Sequence, residues 1–112
     1  MHREARAGGG KLEVAAAENL LGDILRGAGP ERAAEAEAAY RSCLFAREKL
    51  LGLHHPDVAV ALLGLGLAVA ADGKQDMARP LLQRSLGLLQ RSLGHQHPIT
   101  VQAATAQSSL LP

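Results

Sequence analysis

A short block that returns at a fixed interval sets the architecture of this chain. Residues 46–60 read AREKLLGLHHPDVAV and residues 88–102 read LLQRSLGHQHPITVQ. Leu51-Gly52 returns as Leu93-Gly94 and His55-Pro56 as His97-Pro98, in each case 42 positions on. At the same offset Ala36 meets Ala78, Leu44 meets Leu86, and Lys49 meets Arg91. A period of this length marks stacked supersecondary units, each of which buries its apolar face only against its neighbours.

The units are helical. Apolar or small residues recur at Ala36, Tyr40, Cys43, Leu44, Leu50 and Leu51, and again at Ala78, Leu82, Ser85, Leu86, Leu89 and Leu93. These steps of three, four and seven put them on one helical face. Each such helix stops at Leu-Gly, where glycine can turn left-handed. The His-Pro pair then opens the next helix, with proline suited to its first turn and Asp57 near its positive end. Helices are expected at about 11–27, from Ala36 through Leu51, at about 57–71 up to Asp72-Gly73, from near Asp76 to Leu93, and from near Ile99 onward. Hydrophobic residues make up 47% of the chain, with Tyr40 and Phe45 its only aromatics. The core must therefore be built from Leu, Ala and Val, which allows close helix approach, and scarce β-branched residues argue against a sheet. The fold class is all-α: antiparallel helical hairpins, about five helices, with residues 1–10 a flexible segment. The repeats fall at about 11–54 and 55–96, with a partial one at 97–112. Leu21-Gly22 matches Leu65-Gly66 at an offset of 44 rather than 42, so two extra residues belong to the turn GAGPER. An insertion costs little there, because loop-closure entropy grows slowly with length. Pro80, near the start of its helix, removes at most one backbone bond.

The formal net charge of +1 leaves little drive toward nucleic acid, where neutralising phosphates dominates affinity. The longest apolar run, residues 58–71, is shorter than the roughly 20 residues of a membrane span. MHREARAGGG has no apolar stretch of the secretory kind. Cys43, the single cysteine, is expected to be a buried reduced thiol. A cytoplasmic protein is expected.

The block REKLLGLHHPDVAVALLGL followed by DGKQDMARPLLQRSLGLLQRSLGHQHP resembles the 42-residue tetratricopeptide (TPR) repeat of kinesin light chains, including the Leu-Gly helix end, the His-Pro loop and Pro80 after the packing alanine. The resemblance covers about residues 11–112 and implies a short right-handed superhelix, an α-solenoid. Gly22 and Gly66 would allow close helix approach, with Ala36 and Ala78 facing them. It also implies a concave groove lined by the first helix of each pair. The positions facing it are Ala16, Asn19, Asp23 and Arg26, then Val60, Leu63, Leu67 and Ala70, then Gln102, Thr105 and Ser109. Asn19 matches one of the two asparagines that reach toward bound peptide in such repeats, and Leu63-Gly64 and Thr105-Ala106 stand at that pair's positions in the later helices. A groove polar at its flanks and apolar in its middle fits an extended or helical peptide with a central apolar anchor. The implied function is a non-catalytic protein-interaction module. The alternative is a structural, self-associating piece of a larger scaffold.

Two other chemistries can be weighed. His54, His55, His95 and His97 lie in successive loops on one edge, a set that zinc or copper could use. Only His55 and His97 are repeat-equivalent, and capping the next helix accounts for both, so no metal or other cofactor is expected. The GGG near residue 8 lacks the lysine and hydroxyl of a phosphate loop, and no nucleophile stands beside a base. Glu31, Glu35 and Glu37 with Arg32 and Arg41 read as a solvated face. Two and a half repeats are few for an array. The last helix is expected to cap the stack, and the chain alone to be marginally stable or self-associating.

Overall fold

A computed structural model describes residues 7–110. Five helices follow one another: α1 (Ala7–Gly27), α2 (Ala33–Leu51), α3 (Pro56–Ala71), α4 (Gln75–Leu93) and α5 (Pro98–Ser108), with a 3-10 turn at Pro30–Arg32. No strand occurs among the described residues. Each helix packs against the next as an antiparallel neighbour, while α1 touches α3 and α3 touches α5. The result is a short solenoid measuring 54 × 33 × 20 Å. Of the segment expected to be flexible, residues 1–6 lie outside the described residues, and Ala7–Gly10 form the start of α1.

Local chemistry sets the helix ends. Gly52 and Gly94, 42 positions apart, take positive φ (89° and 86°), and their N–H groups close onto the carbonyls of Glu48 and Gln90. A side chain at either position would be strained. Three residues later His55 Nδ1 accepts the N–H of Asp57 at 2.9 Å, and His97 Nδ1 that of Ile99 at 3.3 Å. Each histidine satisfies a donor that the first helical turn leaves free. Because His97 is the cap, α5 begins at Pro98, one residue before the expected start. Residues 28–32 separate α1 from α2, against residues 72–74 between α3 and α4, so the two extra residues lie in the expected turn.

One packing expectation is corrected. The side chains nearest the glycines of α1 and α3 are not Ala36 and Ala78 themselves but the larger ones one turn later. A methyl on Gly22 would lie 2.7 Å from Tyr40 Cε1, and one on Gly66 would lie 2.6 Å from Leu82 Cδ2. Helical side chains lean toward the N-terminus, so Tyr40 and Leu82 lie over the turns that begin at Ala36 and Ala78. Gly64 would meet the Tyr40 ring as well. The ring is therefore seated between glycines of α1 and α3 and is fully buried.

A second correction concerns Glu37. Arg32 pairs with Glu35 at 2.8 Å and Arg41 with Glu37 at 2.9 Å, at helical spacing. The Glu37 side chain, however, is only 13% exposed and also takes Lys74 Nζ at 3.2 Å. It thus joins the first hairpin to the turn of the second instead of facing solvent. Burial by itself raises this carboxyl, but the hydrogen bonds from Arg41 and Lys74 outweigh it and hold the group below its ordinary value. Buried polar atoms also fix the stack: Arg47 Nη1 donates to Asp57 O at 2.9 Å and Ser85 Oγ to Ala59 O at 2.7 Å. Cys43 is buried and free, and burial pushes its thiol up.

Candidate functional site

α1, α3 and α5 line one side of the solenoid because each is the first helix of its pair, and their contacts with one another leave a shallow pocket of about 110 Å³. Its walls are Asn19, Asp23 and Arg26 from α1, Val60, Leu63, Gly64 and Leu67 from α3, and Ile99 and Gln102 from α5. The spacing of Asn19, Asp23 and Arg26 is that of one helical face. Thr105 and Ser109 lie beyond the pocket, further along the chain, where Ser109 Oγ donates to Ala106 O at 2.8 Å. Ala16 is exposed, and Ala70 packs against the core.

The polar flank on α1 is held in place from below. The Tyr40 hydroxyl donates to Asp23 Oδ1 at 2.5 Å and accepts from Arg26 Nε at 3.1 Å. Arg26 Nη2 is a further 3.7 Å from Asp23 Oδ1. Burial raises the Tyr40 phenol, and its bond to the Asp23 carboxylate raises it further, to about 12. It therefore remains a neutral donor, and Asp23 and Arg26 are presented at the pocket wall in fixed positions.

Asn19 stands differently. Its Oδ1 is buried and has no hydrogen-bond partner. An orphaned buried acceptor costs about 1–3 kcal/mol, which a donor from a bound molecule would recover. On α3 the pocket is apolar, and Leu63 is only 3% exposed, so it belongs to the hydrophobic core as much as to the pocket. The asparagine position next to it is Gly64, where any side chain would collide with the Tyr40 ring.

Two pocket residues, Gly64 and Ile99, were not among the groove-facing positions expected from the sequence, although Leu63-Gly64 was placed at the asparagine pair. Gly64 is lined up by Tyr40, a contact between elements that no local pattern announces. Ile99 is the residue whose N–H His97 caps, so its place at the start of α5 was legible but its direction was not. The histidine loops hold no metal cluster: among the described residues no three His, Cys, Asp or Glu side chains converge. The pocket lining contains no Ser, Thr, Cys, Lys or His beside the Asp23 carboxylate. Among the described residues no helix is long and apolar enough to cross a membrane.

The tetratricopeptide repeat model matches residues 13–91. No curated protein matches the chain. That match spans most of both hairpins and includes the capped His-Pro junction between them, and the fold is that of a non-catalytic repeat scaffold. The chain belongs to the tetratricopeptide repeat family.

Proposed function

We propose that this module is an adaptor that holds an extended segment of a partner protein along the groove formed by α1, α3 and α5. The observation that carries the reading is the orphaned Oδ1 of Asn19, a buried acceptor without a partner on a residue that lines the pocket. A peptide main chain offers an N–H of the kind it lacks. Asp23 and Arg26 add charged positions at the same flank, Gln102 a neutral polar one at the other, and Leu67 an apolar surface between them. Leu63 completes that apolar floor. Thr105 and Ser109 would extend the contact beyond the pocket to the end of α5.

The reading includes the repeat subtype. The Leu-Gly and His-Pro marks at a 42-residue interval, each capping a helix, support a repeat of the kinesin-light-chain-like kind. The asparagine clamp of such repeats is reduced here to Asn19: Leu63-Gly64 and Thr105-Ala106 stand at the later positions, and of these Gly64 must stay small under Tyr40. Affinity would therefore rest on one main-chain contact and the apolar floor, which suits a weak, micromolar partner.

A displayed library of random extended peptides, selected against the full chain, tests this. Enriched peptides should lose at least tenfold in affinity on Asn19→Ala combined with Gln102→Ala, with the melting temperature not lowered, since Asn19→Ala also removes an orphaned acceptor. No enrichment, or an affinity indifferent to both substitutions, would overturn the groove reading.

A further inference from the structure

A second pocket, of about 430 Å³, opens where α4 passes the junction of α2 and α3. His54 of that junction lines it, with Gln83, Arg84, Gly87, Leu88 and Arg91 of α4. It shares no residue with the groove. Arg84, Gly87 and Arg91 follow at steps of three and four, so they stand on one helical face. Leu88 is buried and belongs to the core beneath.

The two arginines are held differently. Arg84 Nη2 donates to Glu48 Oε2 at 2.8 Å and to Leu53 O at 3.3 Å, which ties the side chain to the end of α2 and the loop after it. Its Nε and Nη1 have no acceptor among the described residues. Arg91 has no partner of either kind. The other described arginines each make a hydrogen bond to a carboxylate, a carbonyl or the Tyr40 hydroxyl, and Arg91 makes none with a described residue. Because Glu48 answers the charge of Arg84, Arg91 is the cation left uncompensated at the opening.

Gly87 keeps the space between them open. It sits in the interior of α4, where glycine is less favourable than alanine. Packing does not require it. Gly22, Gly64 and Gly66 lie closer to Tyr40 or Leu82 than a methyl allows, whereas a methyl on Gly87 would meet only Arg91 Nη1, at 3.7 Å. In the first hairpin the residue 42 positions earlier is Phe45, and Lys49 Nζ, at the counterpart of Arg91, lies 5.7 Å from its ring. Ser42 stands at the counterpart of Arg84. The second hairpin thus keeps the cation, replaces the ring with an opening and places a second guanidinium beside it.

We propose that this pocket is an anion site that takes a phosphoryl group, carried on a phosphorylated side chain of a partner or as free phosphate. Guanidinium groups meet such oxygens with paired, charge-assisted hydrogen bonds. A phosphoryl group brings three acceptor oxygens and about −1.5 to −2 charge at neutral pH. Those oxygens match donors from three sources: Arg91, the free edge of Arg84, and His54 or Gln83 at the rim. A carboxylate brings only two oxygens, and Glu48 already supplies one such group to Arg84.

The test adds inorganic phosphate, N-acetyl-phosphoserine amide or acetate to the full chain at constant ionic strength, with backbone amide and arginine side-chain signals followed by NMR. Both phosphoryl probes should shift Gly87, Arg84 and Arg91 saturably and leave Arg32 and Arg41 in place. Acetate should bind about fivefold more weakly or worse. Gly87→Phe gives α4 the residue that α2 carries, and Arg91→Gln removes the uncompensated cation. Each should weaken phosphate binding about tenfold with helicity retained, since neither side chain enters the core. Tighter binding of the phosphoserine derivative than of inorganic phosphate assigns the site to a phosphorylated partner, and the reverse order assigns it to free phosphate. Shifts that do not saturate, shifts shared by every exposed arginine, acetate binding as tightly as phosphate, or an affinity unchanged in either variant would each overturn the proposal.

Discussion

Tyr40 of α2 reaches both α1 and α3. It is the only tyrosine, its ring fills the space over Gly22 and Gly64, and its hydroxyl orders Asp23 and Arg26 at the groove. Its phenol is raised from 10.0 to about 12, first by burial and then by the Asp23 bond, so the folded state favours the neutral form. The stability this contributes is complete below pH 10, where the phenol is neutral folded or unfolded, and is lost as pH rises toward 12. Denaturant midpoints measured from pH 9 to 12 should fall in the parent chain and change less in Tyr40→Phe. That variant should itself lose about 1–2 kcal/mol at neutral pH, because Asp23 loses a donor. Tyrosinate absorbance reads Tyr40 alone, and a phenol titrating at its ordinary value would contradict the burial argument. Nothing in the sequence around Tyr40 announces this role. The helical spacing places it on the inner face of α2, but its seat on glycines of two other helices is a property of the stack.

At the scale of elements, the repeat is defined by its junctions. A left-handed glycine ends α2 and α4, and a histidine imidazole opens α3 and α5 three residues later. These junctions were legible because each is settled within a few residues. A cap contributes about 1 kcal/mol, so His55→Ala should lower stability by roughly that much and His55→Asn should restore most of it. The same change at His97 should cost less, since its bond is longer (3.3 Å against 2.9 Å) and α5 lies at the end of the stack. Urea titrations of the three variants check this ranking. Equal losses at both positions would mean that the caps act through the loops and not through the helices they open.

Across the whole molecule, the hairpins are held together by an apolar core and a few specific polar links. Glu37 of α2 reaches Lys74 in the next turn, Arg84 of α4 reaches Glu48 of α2, and Arg79 of α4 holds Leu110 O beyond α5. Because the Glu37 carboxyl is held below its ordinary value, the stability it contributes is present above about pH 4.5 and is lost as pH falls through its folded value. Acid unfolding followed by circular dichroism should therefore be less steep in Glu37→Gln than in the parent. An unchanged acid limb would show that this bridge does not couple the hairpins. Its partners sit at the surface and are solvent-screened, so the effect should be small beside that of the core.

Period, helix ends and fold class could all be read from the chain alone. They depend on turns, caps and the 3.6-residue rhythm, which neighbouring residues settle among themselves. The direction each face takes depends on what packs against it. Gly22 and Gly66 carry no sign that Tyr40 and Leu82 are the side chains that come nearest them. Glu37 reads as one more surface carboxylate until Lys74 is brought beside it from 37 residues away. Gly64 reads as a missing asparagine until the ring beneath it is placed. Local sequence names the helices; the space left between them decides which side chains are core, bridge or groove.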